Sequence, residues 1–224
     1  MAAFMLYQND RSPEDEHPIF FGLQSEGEPV NDLEYWFQSA LVRGRDKSEK
    51  LRGAAVDLGL TYEFDWEIKP SVALGYAFGS GDDNPNDNRE EAFRQTGFQD
   101  NSDKFNGVAR FKYYGEVLDP EISNLSIFTS AAGIRPTPRS SLDLVYHYFL
   151  QEHAAQRIRE AEIDARPSGL SRDIGSELDF IAGYREIENI DVKFVLGYLF
   201  PGNAFPTSNR DGAFLTNLEL RYNF

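Results

Sequence analysis

The chain has 224 residues, 41% of them hydrophobic, no cysteine, and a formal charge of -15 at pH 7. That length suits one β domain of barrel or sandwich size, while the lack of cysteine excludes a disulfide framework and the acidity argues against a nucleic-acid partner. No apolar run approaches the roughly 20 residues of a membrane-spanning helix, yet a mean hydropathy of -0.50 still allows a membrane β-barrel, which gives every second strand residue to a polar lumen.

Twelve segments read as strands. They are Ala2 to Tyr7, His17 to Leu23, Asp32 to Arg43, Gly53 to Phe64, Trp66 to Gly79, Ala92 to Asn101, Phe105 to Leu118, Asn124 to Arg135, Ser141 to Leu150, Ile174 to Arg185, Ile190 to Phe200 and Ala213 to Phe224. The sixth is polar and contains a glycine; it is retained because the connections then alternate. The stretch near Gly27 to Asn31 and those at FDW, NSDK, RPTPR and EIEN are short and fall at one end. At the other end lie NDRSPEDE, GRDKSEK, GSGDDNPNDNREE, DPEIS, Gln151 to Arg172 and PGNAFPTSNRDG, most of them long. Outer-membrane barrels place short turns in the periplasm and long loops outside. The first ten residues, MAAFMLYQND, lack a basic region, a long apolar stretch and a cleavage site, so no signal peptide is read there.

Within strands, side chains of period two go to opposite faces. Val56, Leu58, Leu60, Tyr62 and Phe64 oppose Ala55, Asp57, Gly59, Thr61 and Glu63; Leu142, Leu144, Tyr146 and Tyr148 oppose Asp143, Val145 and His147. Leu178, Phe180, Ala182 and Tyr184 oppose Glu177, Asp179, Gly183 and Arg185, and the final strand closes the chain on Leu218, Leu220, Tyr222 and Phe224. Mid-strand charges on the second face suit a water-filled lumen, with lipid against the first and the 18 Phe and 11 Tyr available for ring girdles. The expected fold is an all-β, antiparallel transmembrane β-barrel with about twelve strands in this chain, forming a single domain over residues 1–224.

The inward basic residues are the candidate binding groups: Lys69, Arg94, Arg110, Lys112, Arg185, Lys193 and Arg221. One reading pairs each with an acid such as Glu116, Asp143, Asp179, Asp191 or Glu219 to knit the wall. The other is a basic ladder whose field draws an anionic solute along the bore.

Several stretches resemble one family in order: FRQTGFQDN, FNGVARFKYYGEVLDPEISNL, LDLVYHYF, SRDIGSELDFIAGY and YLFPGNAF, preceded by LVRGRD, AAVDLGLTYEF and ALGYAFGSG. They are similar to the C-terminal two thirds of the alginate export porins, eighteen-stranded outer-membrane barrels that pass alginate out of Gram-negative bacteria. The resemblance implies an outer-membrane channel for an anionic polysaccharide, with lipid and periplasmic export components as partners and about six N-terminal strands absent. It also implies lumen roles for Arg110 and Lys193, with Val195 and Ser102 at positions that are basic in the family and Lys104 standing near Ser102 as a substitute. The candidate substrate-binding residues are therefore Arg110, Lys112, Lys193, Arg221, Arg185, Lys69 and Lys104.

Other chemistry is poorly supported. Asp82 to Asp87 gathers oxygens without the spacing of a calcium loop, and His17, His147 and His153 have no metal spacing, so no cofactor is expected. His147 lacks the serine two residues on that a barrel phospholipase would use, since Phe149 stands there, and Glu177 with Asp179 reads as lumen lining rather than a glycosidase pair. No enzyme is expected. Two alternatives remain: a small closed twelve-stranded barrel without transport, its lumen filled by Tyr114, Trp36 and Phe149, and a soluble ligand-binding barrel.

Overall fold

The computed structural model describes residues 1–9, 16–47, 49–84, 86–96, 101–103 and 105–224. Among them, one short 3-10 turn apart, every regular element is a strand. The long ones are β1 (Ala2–Tyr7), β2 (Glu16–Val30), β3 (Leu33–Asp46), β4 (Glu49–Glu63), β5 (Ser71–Gly79), β9 (Leu125–Thr137), β10 (Ser140–Gln151), β11 (Asp173–Tyr184), β12 (Ile190–Pro201) and β13 (Ala213–Tyr222). Three two-residue strands, β6 (Arg89–Glu90), β7 (Ser102–Asp103) and β8 (Phe111–Lys112), lie in the connection from β5 to β9. The long strands pair in chain order, each antiparallel to the next, in an 11-stranded sheet that β6 joins alongside β4. The fold is all-β and antiparallel, as the alternation predicts.

Two expected wall strands are absent from this sheet. β5 pairs directly with β9, Gly75 opposite Thr129 and Ala77 opposite Ile127. The segment Phe105 to Leu118 is instead an insert; of Ala92 to Asn101, residues 97–100 lie outside the described residues and the described ones are in no wall strand. The reason is written in its residues. Val108, Ala109, Phe111, Tyr114, Val117 and Leu118 are buried at both parities, which an alternating strand does not allow. Gly115 has φ +103 and Asp119 φ 38, just before Pro120, so the backbone turns where a strand would run straight. Losing both strands together preserves parity, so the short connections 31–32, 64–70, 138–139 and 185–189 still share one rim, and the described residues 101–103 of NSDK belong to the insert rather than to that rim. The fifth strand also starts at Ser71, because Trp66 to Pro70 forms a turn with Lys69 at φ 41.

The facial assignment holds. Leu74 is 65% exposed and Leu218 62% on the outer side, while Val145, Ile181 and Val195 on the inner side are 0% exposed. Rings cluster at both ends of the outer surface: Tyr62, Phe64 and Trp66 at the short-turn rim, with centroids 4.9 and 5.5 Å apart, and Tyr198 with Phe200 at 4.6 Å at the other. The band between is leucine-rich and unpartnered, a surface suited to hydrocarbon. Leu74→Arg is expected to cost roughly 2–4 kcal/mol in folding into liposomes, as for a cation near a bilayer midplane, whereas Glu67→Arg in the exposed rim turn changes little. Equal refolding yields for the two would remove the lipid contact.

The inner face is not simply a watery bore. Val117, Leu118, Ile122 and Tyr114 of the insert pack on Ala77, Ile127, Phe149, Ile174 and Leu199 of the wall. A second cluster joins Phe105, Ala109 and Phe111 to Ala73, Val145, Ile181 and Val195, with Trp36 and Leu215 against it. One insert thus touches strands from β3 to β13 on the same face, which requires the sheet to curl around it. Tyr114, Trp36 and Phe149 do lie inside. The edges stay separate: β1 pairs with β2 and β13 with β12, and among the described residues no ladder joins β1 to β13.

Candidate functional site

Polar side chains on the inner wall hold the insert by its backbone. Glu177 accepts the N–H groups of Val117 (2.7 Å) and Leu118 (3.0 Å), Asp179 accepts that of Glu116 (3.2 Å), and Ser141 Oγ accepts that of Val108 (2.9 Å). Glu177 and Asp179 are both 0% exposed. Buried carboxylates are tolerated only where donors converge on them, and here the donors belong to an irregular segment whose amides have no ladder to join. Lumen-facing charges predicted to be solvated are therefore covered on the β5 to β12 side. His147 lies in the same seam, its Nδ1 2.9 Å from Thr129 Oγ1 and its Nε2 3.9 Å from Asp179 Oδ2.

Acids partner most of the candidate basic residues. Lys193 Nζ is 3.2 Å from Glu116 Oε1, and Lys112 Nζ is 2.5 Å from Asp119 Oδ2, a hydrogen bond that raises the Lys112 pKa and keeps it cationic. Glu116 also accepts the Lys112 backbone N–H at 3.0 Å, so one carboxylate bonds the Lys112 main chain and the Lys193 ammonium. Arg110 donates to the Ser102 carbonyl beside them, across the β7–β8 pair. Arg185 meets Asp191 at 3.3 Å and Arg221 meets Glu219 at 2.8 Å, both along the inner side toward the short-turn rim. Lys69 sits in the rim turn, 2.8 Å from Glu63, away from the others. Lys104 lies outside the described residues. Val195 packs against Ala109 and Phe111, which explains an apolar side chain there. Arg94 forms a rim knot with Asp46, Glu16 and Glu90.

A cavity of about 700 Å3 opens between the insert and the wall of β2 to β4. Its floor is set by Trp36, whose indole lies over Gly59 and Gly75, where any Cβ would meet the ring. Trp36 Nε1 donates to Asp57 Oδ1 at 2.7 Å and Tyr114 OH donates to Asp57 Oδ2 at 2.6 Å. Phe105 stacks on Trp36 at 5.7 Å with a 30° tilt, and Tyr113 meets it edge-on at 5.7 Å. Arg135, absent from the predicted set, reaches this cavity and donates from Nε to the Asn106 carbonyl at 2.5 Å. Counting by twos from Ile127 would have placed it inward. Among the described residues, no group of three or more His, Asp or Glu side chains is placed to hold a metal.

A family model described as "Alginate export" matches residues 3–215. The alginate production protein AlgE of Pseudomonas aeruginosa is 30% identical over 185 residues, which cover 72% of this chain and 37% of that protein. AlgE of Azotobacter vinelandii is 29% identical over 173 residues, covering 67% of this chain and 35% of the relative. The chain thus spans little more than a third of the length of these curated relatives.

Proposed function

The chain belongs to the alginate export family, an export family and not a family of enzymes, and from that premise we propose that it supplies wall and inner insert to an outer-membrane conduit for an anionic, alginate-like polysaccharide. The observation that carries this reading is the family match over residues 3–215; the apolar outer belt with rings at both rims supports the membrane setting. Residues 1–224 act as one domain, with the short-turn rim toward the periplasm, where export components deliver the polymer.

Arg110, Lys112 and Lys193 are the proposed contacts, with Arg185, Arg221 and Lys69 secondary and Lys104 in the same group. A cation already shared with a neighbouring acid binds a passing carboxylate weakly and releases it readily, and many such steps favour passage over trapping. Guanidinium groups contribute the tighter, two-point contacts. In planar bilayers, Arg110→Glu with Lys193→Glu is expected to lower anion preference and weaken block by uronate oligomers several-fold. Unaltered selectivity and block would overturn the assignment.

A further inference from the structure

The cavity beside Trp36 has a chemistry that the basic residues do not share. Among the described residues, five of its lining side chains are carboxylates, Glu26, Glu28, Glu34, Asp57 and Asp103, against one guanidinium, Arg135. None of the candidate polymer contacts among the described residues lines it. Its volume, about 700 Å3, falls within the roughly 300–1,000 Å3 of small-ligand sites. Three rings, Trp36, Phe105 and Tyr113, meet in one corner with centroids 5.6 to 5.7 Å apart. Beside them, Gln95 and Asn101 pair through their amides at 3.1 and 3.2 Å, which leaves each amide a further donor and acceptor.

We infer that this cavity is a subsite for an uncharged pyranose chain, which lays the C–H face of a sugar ring on the aromatic corner and gives hydroxyl protons to the surrounding carboxylates. A pyranose presents an apolar face and an equatorial rim of hydroxyls, and aromatic side chains match the first through their own apolar bodies. Hydroxyl-to-carboxylate hydrogen bonds are charge-assisted and short, so an acidic wall favours a ligand that brings donors and no negative charge. A uronate unit brings a carboxylate into a space lined by five among the described residues, and like-charge juxtaposition opposes it. The rings are fixed before any ligand arrives: Asp57 holds the Trp36 N–H at 2.7 Å, and the glycine floor keeps the indole flat. Little ordering remains to be done on binding.

The inference goes beyond the conduit reading, because it rests on the aromatic and acidic lining and not on the basic residues. The chain has 2 tryptophans, and Trp66 is 67% exposed in the rim turn, so Trp66→Phe leaves Trp36 as the sole indole reporter. With the folded protein in detergent micelles, titration with maltohexaose is expected to give a saturable change in Trp36 emission. A mannuronate hexamer is expected to bind at least tenfold more weakly. Tyr113→Ala should weaken maltohexaose by at least fivefold, and Glu34→Lys should narrow the gap between the two sugars, which a purely structural change would not do. Equal or tighter binding of the mannuronate hexamer, or no response of Trp36 to maltohexaose in the folded protein, overturns the inference. Bilayer current blocked by uronate without a maltohexaose response keeps the conduit and removes the subsite; a maltohexaose response without current does the reverse.

Discussion

Glu177→Ala is expected to detach the insert from the wall and to lower folding stability by roughly 3–5 kcal/mol. The Glu177 carboxylate is fully buried and accepts two amides, at 2.7 and 3.0 Å. Truncation leaves both N–H groups without acceptors in a region that excludes water, at about 1–3 kcal/mol each, and adds a cavity where the side chain stood. Gly115 approaches the same carboxylate so closely that a Cβ would lie 2.8 Å from Oε1, so the backbone is shaped to this acid. Glu177→Gln keeps the volume and one acceptor oxygen but turns an amide toward the second N–H, and should cost about half as much. Hydrogen exchange at Val117 and Leu118, followed with the chemical unfolding midpoint, is the measurement. Protection unchanged in Glu177→Ala would mean that apolar packing alone retains the insert.

The second large effect is expected from Gly59→Val. Gly59 stands opposite Trp36 in the β3–β4 ladder and opposite Gly75 in the next, and the indole covers both. A branched side chain there drives the ring off the wall and breaks its 2.7 Å bond to Asp57. Overpacking contributes about 1–3 kcal/mol and a lost hydrogen bond to a charged acceptor about 1.5–3, so the total is roughly 3–5 kcal/mol. Trp36 emission should move to the red as the ring meets water. A variant with wild-type emission and stability would show that the indole is not seated on the glycines. Gly59→Ala tests the same contact with a smaller displacement in the same direction.

The wall was legible in the sequence because its signal is local. Leu58 with Leu60 and Leu142 with Leu144 announce a face every second residue, and the ladder places them outward as expected. The insert was not, because Phe105 to Leu118 is about as rich in apolar residues as wall strand β10 and only its parity is wrong. Gly115 and the Asp119–Pro120 step were the available warnings. Pairing of the basic residues with acids was one of the two readings open from spacing alone. The sequence did not show that Glu116 would hold the Lys112 backbone and the Lys193 ammonium at once, because that depends on how the insert lies across β12. The aromatic cavity was hidden for the same reason: Trp36 and Tyr113 are 77 positions apart in the numbering, and only the return of the insert to β3 brings them within 5.7 Å.

β5 and β9 are neighbours in the ladder, and the long segment between them leaves and re-enters at the same rim. Its two anchor points therefore sit side by side, and no wall register depends on what is strung between them. Such a tongue can be lengthened or shortened between those anchors without re-threading the staves.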